Sequence, residues 1–146
     1  MKIKVSFIKD EHPTDYICLM PSERLDDICE DSECKELIID DIIGYIPYDR
    51  IDTTLENWIK KIRIGGNIII TGVDLNSIAR GIQGRIIDIK QANLFLYGFP
   101  KKDSPIRMSC LTGAQIARIF ERTTHFKIIK YSIENFKYIV KAERIK

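Results

Sequence analysis

The chain has 146 residues, of which 45% are apolar, 30% charged and 9% aromatic. That is one domain's worth of sequence with apolar content for one core, so a single domain over residues 1–146 is expected, and two full domains or a disordered or collagenous chain are excluded. The net charge of +2 names no partner, but its distribution is uneven: residues 1–58 carry 6 Lys/Arg against 15 Asp/Glu, and residues 59–146 carry 17 against 6.

Such asymmetry fits acidic and basic segments that neutralise each other within one fold, and also fits a head-to-tail self-contact or a basic docking face. No apolar run approaches the ~20 residues that span a bilayer. The opening Met-Lys-Ile-Lys-Val-Ser lacks the apolar core and cleavage site of a signal peptide. A cytoplasmic protein without membrane contact is therefore expected. Cys18, Cys29, Cys34 and Cys110 have neither C-x-x-C pairing nor disulfide-scaffold density, and read as reduced packing thiols. Abundant isoleucine and lysine are the usage of an AT-rich genome, such as that of many bacteriophages.

Residues 2–8 alternate loosely between apolar and polar and predict a strand, closed by the polar stretch Lys9-Asp10-Glu11-His12-Pro13. Residues 16–20 are a second short apolar run ending at Pro21, and residues 25–32 are acidic and irregular. The β-branched run Leu37-Ile38-Ile39 suits a buried strand, and Pro47 closes that unit. Thr53-Thr54-Leu55-Glu56 has the form of a capping box, so a helix is expected to start there. It would carry Leu55, Trp58, Ile59 and Ile62 on one stripe and stop at Gly65-Gly66.

Residues 67–73 are a continuous apolar run bounded by turn residues, as in a parallel strand covered on both faces. Asp74 is a natural N-cap for a helix bearing Leu75, Ile78, Ala79 and Ile82 and ending near Gly81 or Gly84. A further helix is expected over residues 86–96, then a loop from Gly98 to Pro105 of the composition that often carries contacts. Thr112-Gly113-Ala114-Gln115 opens another capped helix with Ile116, Ile119 and Phe120 facing inward. Residues 126–133 and 136–142 form an antiparallel hairpin through Glu134-Asn135. Strands alternating with helices and closed by a hairpin describe an α/β three-layer sandwich with a mostly parallel sheet.

Three consecutive stretches carry a family likeness: Glu36-Leu-Ile-Ile-Asp-Asp-Ile-Ile-Gly-Tyr-Ile-Pro47, Trp58-Ile-Lys-Lys-Ile-Arg-Ile-Gly-Gly66, and Asn67-Ile-Ile-Ile-Thr-Gly-Val-Asp-Leu75. They resemble, in order and spacing, strand four, helix D, strand five and the start of helix E of the class I S-adenosylmethionine (SAM) dependent methyltransferases of the short "type 11" kind. That kind reads E-I-x-x-x-H-V-L-E-H-I-P, then L-x-E-W-x-R-V-L-K-P-G-G, then a strand ending V-P-D-L. The resemblance implies an abbreviated Rossmann-like methyltransferase fold with SAM at the carboxyl edge of the sheet.

The chain departs from the family where the cofactor would sit. The family's first strand ends in a G-x-G-like loop, because only glycine lets the backbone approach the methionyl end of SAM; here Ile8-Lys9-Asp10-Glu11-His12-Pro13 contains no glycine. The acidic residue that ends strand two in the family falls on Met20, whose thioether cannot replace a carboxylate. The family's His and Glu-His positions fall on Asp41 and Gly44-Tyr45. Under the resemblance Asp26 or Asp27 would meet the adenine amino group and Asp40 would face the pocket. Acidic segments also commonly form a solvated edge.

Other candidates are thin. His12 and His125 fit exposed loop residues, no G-x-S-x-G elbow appears, and no metal-ligand spacing is present. Tyr45 and Tyr48 flank Pro47 at the ligand-binding edge of the sheet, whereas Trp58 lies on a core stripe. Lys101, Lys102, Arg107, Arg118 and Arg122, with Tyr97 and Phe99, could form a phosphate-binding surface or only a solvated face.

The function expected is that of a non-catalytic, pseudoenzyme-like binding or structural subunit with a lost or weakened SAM site and no cofactor. It would act through a protein partner or self-association, its crevice filled by Phe7, Ile8 and Met20. The alternatives are an active SAM-dependent methyltransferase with an atypical cofactor loop, in which Asp26, Asp27 and Asp40 hold the nucleoside, and a nucleic-acid-binding module.

Overall fold

The computed structural model describes residues 1–8, 15–98 and 105–146. One six-stranded sheet has the order β2-β1-β3-β4-β6-β5, built from β1 Lys2–Ser6, β2 Ile17–Leu19, β3 Cys34–Asp40, β4 Ile62–Val73, β5 Phe126–Glu134 and β6 Lys137–Arg144. The pairs β2–β1, β1–β3 and β3–β4 are parallel, and β4–β6 and β5–β6 are antiparallel. The mostly parallel sheet and closing hairpin are thus those expected. The hairpin turns at Asn135 and Phe136, both at positive φ (49° and 64°), the backbone twist that a two-residue hairpin loop needs.

Register places Ile3, Leu37, Ile68 and Ala142 in one row and Val5, Ile39, Ile70 and Val140 in the next, all on one face and all buried. Helices α1 Ile51–Lys61 and α4 Gly113–Glu121 cover that face with Leu55, Trp58, Ile116 and Phe120. Each such side chain contributes about 1.5–3 kcal/mol relative to exposure. Helices α2 Leu75–Gln83 and α3 Ile89–Tyr97 supply the other helical layer, packing Ile78, Ile87, Ala92 and Phe95 around Val73 and Phe136 at the carboxyl end of β4.

The strand matched to the family's strand four is only the third here. Between Leu19 and Cys34 the chain forms a single 3-10 turn, Leu25–Asp27, in place of a strand and helix. Residues 9–14, including the glycine-free loop sequence and His12, lie outside the described residues. Among the described residues no helix is long and apolar enough to cross a membrane.

Two expectations need correction. The helix expected from Thr53 begins at Ile51, running on from a 3-10 turn at Tyr48–Arg50, and the Thr53 and Thr54 hydroxyls donate to the Arg50 carbonyl (3.1 and 2.8 Å) instead of capping. The Gly65-Gly66 pair does not stop that helix, which ends at Lys61; both glycines lie within β4. Gly65 takes a left-handed φ of 80°, and a Cβ on Gly66 would lie 2.9 Å from the Cys34 and Lys35 carbonyl oxygens. The pair forms an irregularity that lets β4 regain register with β3.

The caps expected at Thr112 and Asp74 form, and a further one forms at Asp88. Thr112 and Gln115 make a reciprocal capping box, and Asp88 with Gln91 makes another that moves the start of α3 to Ile89. Asp74 caps α2 through Ser77 N–H (2.8 Å) and also accepts from Gly113 N–H (2.8 Å), so one carboxylate, 1% exposed, ties the starts of two helices together.

A Cβ on Gly72 would lie 2.7 Å from Cζ of the buried Tyr138 ring. Gly72→Ala is expected to lower the unfolding free energy by about 1–3 kcal/mol in urea denaturation; unchanged stability would mean that the ring moves aside freely. Cys29 and Cys34 are buried, and burial pushes the Cys29 thiol up to about 11 and raises that of Cys34. An aromatic disulfide reagent at about pH 8 is expected to label exposed Cys18 first and to reach Cys29 and Cys34 only as the protein unfolds. Fast labelling of all three would contradict this packing.

Candidate functional site

The carboxyl ends of β1, β3 and β4 are joined by one row of side chains. Ser6, Asp40 and Thr71 are register neighbours; the Ser6 hydroxyl donates to Asp40 Oδ2 and the Thr71 hydroxyl to Asp40 Oδ1, each at 3.2 Å. Ser6 Oγ also accepts from Ile8 N–H (3.1 Å), which fixes the turn after β1. Asp41 follows with a left-handed φ of 55°, and its N–H reaches Thr71 Oγ1 at 3.1 Å.

This sharp exit aims the Asp41 carboxylate at Arg107, which it holds by two bonds of 2.7 and 3.1 Å. The guanidinium lies over the Tyr45 ring at 4.7 Å, and Tyr45 meets the Phe7 ring at 4.7 Å with an interplanar angle of 67°. The chain around Arg107 is itself tied down. Met108 and Ser109 N–H both donate to the Gly44 carbonyl, and the Ser109 hydroxyl donates to the Ile43 and Ile46 carbonyls. Phe7, Tyr45, Arg107 and Asp41 therefore form one stacked, charge-paired wall across the edge where open α/β sheets bind ligands.

Beside this wall is a cleft of about 570 Å³, lined by Phe7, Leu25, Asp26, Tyr45, Trp58 and Met108 among others. A second recess of about 570 Å³ follows the ends of β1 and β2 past Ser6, Ile8, Met20 and Glu23. Of the side chains expected to fill the crevice, Phe7 packs on Tyr45, Ile8 is 76% exposed, and Met20 lines the second recess.

The three expected nucleoside-binding carboxylates are placed differently from one another. Asp26 lines the first cleft and pairs with Lys61 at 2.8 Å. Asp40 is engaged by Ser6 and Thr71. Asp27 is exposed on the 3-10 turn. Glu23, which the sequence reading passed over, lines both recesses, and its Oε2 accepts from Met20 N–H at 2.7 Å. Its only sequence signal was its position three residues past the end of the second apolar run.

The basic set separates as well. Arg107 is nearly buried and paired, whereas Arg118 and Arg122 are exposed on α4 and line a recess of about 230 Å³ with Tyr48. Tyr97 is exposed, and Phe99, Lys101 and Lys102 lie outside the described residues. His125 is exposed, and Trp58 is core. Among the described residues no group of three potential ligands forms a metal site.

Neither a protein-family model nor a curated protein sequence matches the chain. Solved structures do. A SAM-dependent methyltransferase from Methanosarcina mazei superposes with a TM-score of 0.58 at 9% identity, over 89% of this chain and 66% of that one. The magnesium protoporphyrin IX methyltransferase of Synechocystis, with bound S-adenosylhomocysteine, gives 0.53 at 12% identity over 88% and 51%. A methyltransferase in complex with the Haloferax volcanii Trm112 methyltransferase activator gives 0.57 at 10% identity over 92% and 64%. The likeness is one of fold: the chain has an abbreviated class I methyltransferase fold, spanning about half to two thirds of the length of these structures.

Lys61 approaches Asp26 at 2.8 Å and Asp31 at 2.9 Å, and its hydrogen bond holds the Asp26 carboxyl below its ordinary value of 3.8. A carboxyl depressed in the fold stabilises above its unfolded pKa, and that contribution is lost as pH falls through the folded value. Carboxyl NMR is therefore expected to find the Asp26 midpoint below 3.8, and Lys61→Gln to move it upward. An Asp26 midpoint indifferent to that substitution would show that the pair does not persist in solution.

Proposed function

We propose that this chain is a non-catalytic methyltransferase-fold subunit whose SAM site is lost or weakened, and that it works by contact with a protein partner or a second copy of itself. The observation that carries this reading is the stacking of Phe7 on Tyr45 at the turn after β1. In the fold that turn presents bare backbone to the methionyl end of SAM; here Ser6, Phe7 and Ile8 bring side chains, and Ser6 is committed to Asp40 and to Ile8 N–H.

The end of β2 supports the same reading. Leu19 and Met20 stand where a ribose-binding carboxylate belongs, and Glu23, the carboxylate that reaches this edge, already accepts from Met20 N–H. Support for a partner comes from the structural neighbour held by an activator protein. A second reading, an active SAM-dependent methyltransferase, is favoured by the cleft of about 570 Å³ beside Asp26 and Trp58. In it Asp26 and Glu23 would hold the nucleoside, and alignment with desolvation would carry methyl transfer.

Isothermal calorimetry and thermal shift with SAM and S-adenosylhomocysteine separate the two. The non-catalytic reading expects no heat and no stabilisation up to millimolar ligand, whereas micromolar binding with a rise in Tm would establish the second reading.

A further inference from the structure

Beyond the crevice of the fold, a further recess of about 410 Å³ opens between Tyr45, the end of β4, α3 and the start of β6, within the size range of small-ligand pockets. Its walls are Val73, Leu94, Phe95 and Tyr45, and its charged groups are Arg107 and Lys137; among the described residues no carboxylate lines it. We propose that this recess binds a small organic anion with an apolar body: a carboxylate on an aromatic or branched aliphatic skeleton.

Three features choose that class. Val73 and Phe95 belong to the smaller apolar cluster, so they offer a fixed surface to a ligand's hydrocarbon part. Arg107 is held rigidly by Asp41 and Tyr45, yet among the described residues its Nε–H has no hydrogen-bond partner, although the side chain is only 10% exposed. Nε lies beside Gly98, where a Cβ would be 4.0 Å away, and a carboxylate oxygen entering past that glycine would accept a hydrogen that no described group takes.

Lys137 is exposed at the start of β6 and, although Glu134 is its cross-strand neighbour, forms no ion pair among the described residues. Its flexible ammonium can therefore meet the second carboxylate oxygen. Because Asp41 offsets much of the Arg107 charge, one negative charge suits the site better than two, and a cationic ligand would meet only repulsion from Lys137.

Leu94, Phe95, Gly98 and Lys137 line this recess and not the cleft beside Asp26. The full chain is titrated with 3-phenylpropionate, its neutral amide, 3-phenylpropylamine and acetate, followed by backbone NMR. The expected result is saturable shifts at Leu94, Phe95 and Gly98 with phenylpropionate, binding roughly tenfold weaker for the amide, and none for the amine or acetate. Lys137→Gln, a surface change, should weaken phenylpropionate by a similar factor and leave the amide unaffected. Equal affinity for acid and amide, acetate matching phenylpropionate, shifts confined to other residues, or no saturation at millimolar ligand would each overturn the proposal.

Discussion

The row Ser6–Asp40–Thr71 is the constraint on which the carboxyl edge of the sheet depends. Parallel strands leave their ends at different heights unless something fixes them, and here one carboxylate takes a hydroxyl from each neighbouring strand. With three strand ends locked, the next residue can turn sharply. Asp41 does so at positive φ, and the direction of its side chain decides where Arg107 lies and hence where the 105–110 segment crosses the edge. Tyr45 and the 105–108 segment, placed by those commitments, line both the cleft beside Trp58 and the recess beside Phe95.

The same row bears on the proposed loss of the SAM site. A cofactor crevice needs unused acceptors and bare backbone. In this chain Asp40 spends both oxygens on holding strands together, Asp26 is neutralised by Lys61, and Phe7 stacks where backbone should be accessible. These are internal satisfactions of polar groups and aromatic surface, each of which stabilises the free protein. Each would have to be given up, or added to, for a nucleoside to be gripped.

The sequence disclosed most of the architecture. Aliphatic runs marked β3 and the second half of β4, and Thr112 with Gln115 and Asp74 marked helix starts, because these signals act over a few residues. It misplaced the start of α1 because Thr53 satisfied a local pattern while Arg50 offered its carbonyl to both threonine hydroxyls. Gly65-Gly66 was misread because left-handed φ serves a strand irregularity as readily as a helix cap. The site was less legible still. Ser6, Asp40 and Thr71 meet only through strand register, and Asp41 with Arg107 are 66 positions apart; neither fact has a local signature. Arg107 looked like one surface cation among five.

Charge asymmetry along the chain becomes a spatial one, since the acidic half builds β2, β1 and β3 while the basic half builds β4, β6 and β5. Among the described residues the ion pairs that cross between the halves are made by Lys61 with Asp26 and Asp31 and by Arg107 with Asp41. Those two cations are also nearly withdrawn from water, with side chains 7% and 10% exposed. A solvated lysine such as Lys127 or Lys130 gains little from pairing, whereas a desolvated cation is strongly destabilising without an anion. Neutralisation within the fold is thus concentrated at two places where burial demands it, the Arg107 pair at the carboxyl edge of the sheet and the Lys61 cluster beside the start of β4. The excess charge elsewhere stays in solvent at opposite ends of the sheet.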